Sequence, residues 1–125
     1  MMTKTPFEQS MYQLLTQNKT LNDLVIYLKN EFKAEEIYFY EIKYKKPYYF
    51  PKKPEFNDLL TQLKEHPTKF SVDHKDVHVH RLSNDCFIVL TNSNHQPLNP
   101  SELMCIDIVY KTMSYQDYAQ FLAMI

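Results

Sequence analysis

The chain of 125 residues contains no glycine, where average usage of about 7% would supply roughly nine. Glycine reaches left-handed backbone angles without a steric penalty and lets a backbone come close to a ligand. Its absence excludes the phosphate-binding loop, the dinucleotide fingerprint and the nucleophile elbow, all of which are built on glycines. Turns fall to Asn, Asp, Ser and Pro, and the clusters Ser83-Asn84-Asp85 and Asn92-Ser93-Asn94 are placed for that role. With 44% hydrophobic and 23% charged residues and a net charge of −1, the chain reads as one soluble domain spanning 1–125. No apolar run approaches the roughly 18 residues of a membrane span, and the first residues lack a signal peptide's apolar core, so a cytoplasmic protein without a membrane partner is expected. Cys86 and Cys105 have no metal or redox spacing and lie in apolar stretches. They read as inert buried thiols with no disulfide.

Thr5 and Glu8 have capping-box spacing around Pro6, and Phe7, Met11, Leu14 and Leu15 share a helical face, which predicts a leading helix within 1–18. Thr20 opens a second helix through Leu21, Leu24, Val25, Leu28 and Phe32, ending near Lys33. The period then changes to that of strands: Ile37 to Ile42, a turn at Lys45-Lys46-Pro47, and Tyr48 to Phe50. Pro54 starts a short helix through Phe56, Leu59, Leu60 and Leu63 that His66-Pro67 stops. Three strands follow, Lys69 to Val72, Val77 to Leu82 and Cys86 to Thr91, completing the 20–98 region. Asn99, Pro100 and Glu102 then open a terminal helix over 99–125, about 25 residues or roughly 37 Å long. Its second apolar face, with Met104, Ile108 and Tyr115, predicts either a homodimer interface or a continuation into a further segment.

This order of elements is α+β. From Val77 onward a strand (VHVHRL), a turn (SND), an apolar strand (CFIVLTNS), a polar loop (NHQPLN) and a helix opening PSEL follow one another. In that pattern the chain resembles a GAF domain over roughly residues 20–124. The resemblance implies a central antiparallel sheet of about five to six strands, with N-terminal helices and a long C-terminal helix on one face. It further implies a sensory or regulatory domain of a bacterial signal-transduction protein, with a small-molecule ligand of unknown identity and a downstream signalling domain or protein partner. The cyclic-nucleotide and bilin-attachment motifs of specialised members are absent.

Strand alternation puts His78 and His80 on one face and Val77 and Val79 on the other, and likewise separates Tyr38 and Tyr40 from Ile37 and Phe39. Tyr38, Tyr40, His78 and His80 are therefore expected to line one ligand cavity suited to a small planar or anionic molecule. The competing reading leaves them as half-exposed strand residues. His74, His78 and His80 with Asp73 and Asp76 supply metal-ligand types without a defining spacing, and no metal is expected. Lys43, Lys45, Lys46, Lys52 and Lys53 interleave with Tyr44, Tyr48 and Tyr49, but the net charge of −1 gives no general pull on nucleic acid. No nucleophile or acid pair stands in a recognisable context, so no enzyme is expected. A second reading is a degenerate module that has lost its ligand and serves as a dimerisation or interaction surface.

Overall fold

Local hydrogen bonds set the helix starts. In a computed structural model, which describes residues 5–43, 45–52, 69–72, 75–92 and 98–124, Thr5 Oγ1 accepts from the Glu8 N–H at 3.2 Å and opens α1 (Pro6–Thr16). The Thr20 N–H donates to the Asp23 carboxylate at 2.9 Å and the Asp23 N–H to Thr20 Oγ1 at 3.3 Å, opening α2 (Leu21–Phe32). These bonds favour the charged carboxylate and hold Asp23 below its usual pKa, the backbone donor of Thr20 being the larger cause. Asn99 and Glu102 form the reciprocal box of α3 (Pro100–Met124), at 2.7 Å and 3.1 Å.

The helix ends show how a chain without glycine turns. Asn18 and Lys33 adopt φ of 54° and 53°. The Lys19 N–H reaches back to the Leu14 carbonyl at 3.0 Å, and the Ala34 N–H to that of Lys29 at 3.1 Å. Both are the closing bonds of Schellman motifs, whose left-handed position glycine ordinarily takes. Asparagine tolerates that conformation, whereas lysine carries a steric cost of about 1 kcal/mol. Lys45 (φ 63°) and Asn92 (φ 49°) are left-handed too. Lysine thus joins the turn formers expected from the sequence, because the hydrogen bonds around Lys33 demand the conformation and no glycine is there to supply it.

The strands are β1 (Glu36–Lys43), β2 (Lys46–Phe50), β3 (Lys69–Val72), β4 (Lys75–Ser83) and β5 (Cys86–Thr91). They form an antiparallel sheet in the order β2-β1-β5-β4-β3, giving an α+β protein. The first hairpin turns earlier than the sequence predicts. Lys43 pairs with Lys46 and Ile42 with Pro47, so Lys46 and Pro47 belong to β2 and not to the turn. Leu82 is an extra residue on β4, between Arg81 opposite Phe87 and Ser83 opposite Cys86, and so forms a bulge. The helix expected from Pro54 to His66 lies outside the described residues, as does the expected polar loop up to residue 97.

Residues 1–24 with 99–125 form one compact unit, and residues 25–98 form another. In the first, α1 packs on α3, with Phe7, Met11, Cys105, Ile106, Val109, Tyr110 and Met113 buried. In the second, apolar side chains are buried on both faces of the sheet, with Ile37, Phe39, Ile88 and Leu90 on one and Tyr38, Tyr40, Val77, Val79 and Val89 on the other. Complete burial of such a side chain contributes about 1.5–3 kcal/mol. Among the described residues no helix is long and apolar enough to cross a membrane.

Candidate functional site

Residues directly opposite each other in a sheet share a face, and the pairing decides where the expected site residues go. Tyr38 stands opposite Val89, itself opposite Val79, while Tyr40 stands opposite Phe87, itself opposite Arg81. His78 and His80 stand opposite Leu90 and Ile88, which pair onward with Ile37 and Phe39. The register therefore corrects the expected four-residue cavity: Tyr38 and Tyr40 share their face with the valines, and His78 and His80 are half-buried on the other face. Alternation separates neighbours within a strand correctly. It carries no information about which parity of β4 meets which parity of β1, because β5 between them is apolar at almost every position and fits either way.

The tyrosine face holds a row of four side chains running across four strands: Arg81, Phe87, Tyr40 and Tyr49. The Arg81 guanidinium lies 5.5 Å from the Phe87 ring centre, Phe87 lies 5.9 Å from Tyr40, and Tyr40 lies 5.0 Å from Tyr49, with tilted ring planes. These separations are within cation–π and aromatic-pair range. Beside the row, Tyr38, Val77, Val79 and Val89 pack with Tyr40 into one apolar cluster. Tyr40 is 1% exposed, and its hydroxyl is buried with no hydrogen-bond partner among the described residues. Burial pushes its phenol above the usual pKa, and Tyr49 adds to the shift. A buried hydroxyl without a partner costs about 1–3 kcal/mol and is rare enough in folded proteins to call for an explanation.

Sequence reasoning did not single out Arg81 or Phe87, or join Tyr49 to the site. Their signal is their parity with Val77, Val79 and Val89, which becomes readable only once the register is known.

The end of the sheet nearest Asn92 is pinned. The Asn92 N–H donates to the Asp76 carbonyl at 2.8 Å, the Asp76 N–H to Asn92 Oδ1 at 3.0 Å, and the Asn92 amide to Glu35. Thr91, buried and polar, accepts from the Glu36 N–H at 3.0 Å. These bonds fix β1, β5 and β4 in one register.

Cys86 and Cys105 are free and buried. The Tyr12 phenol, hydrogen-bonded to the Cys105 thiol, is raised in pKa mainly by burial. Among the described residues no group of three metal-ligating side chains stands together, and His74 and Asp73 lie outside them. Lys45, Lys46, Lys52 and Tyr48 are exposed, while the side chains of Lys43, Tyr44 and Lys53 lie outside the description. Met104, Ile108 and Tyr115 are exposed on α3. Compared with protein-family models, with curated proteins and with solved structures, the chain matches none.

Proposed function

We propose that this chain is a GAF-like sensory or regulatory module of a bacterial signal-transduction protein, which binds a small ligand on the tyrosine face of its sheet and acts through a dimeric terminal helix. The GAF-like layering, with the helices on one side of the sheet, belongs to this reading, as do a cytoplasmic setting and a downstream signalling domain or protein partner. The observation that carries it is the Tyr40 hydroxyl, buried and, among the described residues, without a hydrogen-bond partner, in an aromatic row that ends in Arg81. A planar ligand bearing an acceptor oxygen would satisfy that hydroxyl, and an anionic one would also gain from the guanidinium. Neither step requires catalysis, metal or cofactor. Ligand binding alters the output only through a difference in affinity between two packings of the module.

A second reading rests on the near-complete burial of the same rings. Tyr38 and Tyr40 are 4% and 1% exposed, so they fill the face themselves, as in a module that has lost its ligand and serves only for dimerisation or protein interaction. Native mass spectrometry of freshly purified wild-type and Tyr40→Phe protein separates the two. A retained small molecule on the wild type that is lost or weakened at least ten-fold in Tyr40→Phe supports the sensor. Wild type that carries no added mass, with a Tyr40→Phe variant at least as stable, supports the ligand-free module.

A further inference from the structure

The whole-chain charge conceals an uneven distribution. Five of the 14 basic residues, Lys43, Lys45, Lys46, Lys52 and Lys53, fall within 43–53, a stretch with no acidic residue, which leaves nine basic residues against 15 acidic ones in the rest of the chain. The net charge of −1 is therefore the average of a basic hairpin and an acidic remainder. That hairpin joins β1 to β2, and β2 is an edge of the sheet, paired on one side only among the described residues.

The fold alone does not explain this concentration of lysine. Lys45, Lys46 and Lys52 are exposed, and none has an ion-pair partner among the described residues. Lys45 holds the turn in a left-handed backbone with φ of 63°, a conformation that Asn18 and Asn92 take elsewhere in the chain at lower steric cost. Lysine and proline on an edge strand hinder pairing with another chain, and Lys46 with Pro47 in β2 meets that need. Edge protection does not account for Lys45 in the turn or Lys52 beyond the strand. Nor does it account for Tyr48, which stays 43% exposed two residues from Lys46 on the same face of β2.

We infer that this hairpin binds a single-stranded nucleic acid, its lysines meeting phosphates and Tyr48 stacking on a base. The inference is independent of the ligand on the tyrosine face. A single strand presents charge and planar rings together along its length, and basic side chains interleaved with aromatic ones hold it without reading sequence. A duplex keeps the faces of its bases within its own stack and offers Tyr48 none. A bilayer fits less well, because the apolar side chains exposed on the hairpin stand on opposite faces of the sheet: Ile42 pairs with Pro47, and Tyr48, the next residue, with Glu41. An acidic protein segment matches the lysines but brings no base for Tyr48. Beyond the hairpin the acidic remainder repels phosphate, which confines the contact to a few nucleotides.

Fluorescence anisotropy of a labelled oligodeoxythymidylate of roughly 12 nucleotides, titrated with the full chain at about 50 mM salt, tests this. Binding is expected, with log affinity falling against log salt at a slope of about −2, the value for three lysines on a single strand. Lys45→Asn, Lys46→Gln and Lys52→Gln combined should weaken it at least ten-fold and flatten the slope, with unchanged far-UV circular dichroism. Tyr48→Ala should weaken binding about five-fold or more, whereas Tyr48→Phe, which keeps the ring, should stay within about two-fold of wild type. Lys19→Gln, which removes an exposed lysine outside the hairpin, should change little. If the triple variant unfolds, the wild-type salt slope and the two Tyr48 variants decide the matter. A wild type that does not bind, or binding that the hairpin variants leave unchanged, overturns the inference and leaves the lysines as edge protection. Binding weakened by the lysine changes but not by Tyr48→Ala overturns the stacking and with it the preference for a nucleic acid over other polyanions. Tighter binding to phosphatidylserine–phosphatidylcholine vesicles than to the oligonucleotide overturns it in favour of a lipid surface.

Discussion

Both faces of the sheet bury apolar side chains, but they treat polar groups in different ways. On the histidine face Ile37, Phe39, Ile88 and Leu90 are buried while His78 and His80 remain half-buried. On the tyrosine face a hydroxyl is carried into the core itself at Tyr40 and has no hydrogen-bond partner among the described residues. Burial alone therefore does not mark a functional face. The mark is a polar group whose desolvation nothing among the described residues offsets.

The sharpest test of the histidine face as an ordinary packed core is Phe39→Ala. It is expected to cost about 3–5 kcal/mol in urea unfolding, the range for truncating a buried aromatic. A loss under about 1 kcal/mol would mean that this side is not close-packed and that the contrast between the faces is false.

What keeps tyrosines and histidines apart is register, since a slip of one residue would exchange the faces. Asn92→Ala removes the side-chain bonds to Asp76 and Glu35 and forces alanine into a left-handed backbone. A loss of about 1–2 kcal/mol is expected, with fast hydrogen exchange at the Asp76 amide. Asn92→Gly, which keeps the backbone conformation accessible, should lose less. Equal losses in the two variants would show that the side-chain bonds alone hold the register.

Tyr40→Phe probes the other face. In protein stripped of small molecules it is expected to be neutral or to stabilise by up to about 1 kcal/mol, because it deletes an unpartnered polar group and keeps the ring. A loss above about 1 kcal/mol would reveal a bonding partner and remove the contrast. The pH dependence follows from the raised phenol pKa, which means that the fold favours the neutral form. The corresponding stability is complete below the unfolded value of about 10 and is lost as pH rises through the higher folded value. Spectrophotometric titration should show one fewer late-ionising tyrosine in Tyr40→Phe than in the wild type, since the raised Tyr12 phenol is common to both.

The smallest effect calibrates the others because it lies at a helix end. Lys33→Gly relieves a left-handed lysine and is expected to raise stability by about 0.5 kcal/mol, the backbone gain being partly offset by the freer unfolded chain. Thermal unfolding reads it, and a destabilised variant would mean that the Lys33 side chain contributes more than its backbone strain costs.

Sequence by itself determined what depends on neighbours a few residues away. The capping residues Thr5, Thr20 and Asn99, the strands at 69–72 and 86–91, and the buried state of both cysteines were legible, because a cap needs only the residue three positions on and a strand only its own alternation. The left-handed lysines were less legible, since in a chain without glycine the hydrogen-bonding frame, and not side-chain preference, chooses who takes positive φ. Only the tertiary structure decided which faces coincide. Tyr40 and His80 are separated by long stretches of chain, and they are brought near each other through β5, whose even run of apolar residues accepts either parity of its neighbours. The choice was made by contacts that no local pattern encodes: the Asn92 and Thr91 hydrogen bonds, the Leu82 bulge, and the fit of Tyr40 against Phe87 and Tyr49.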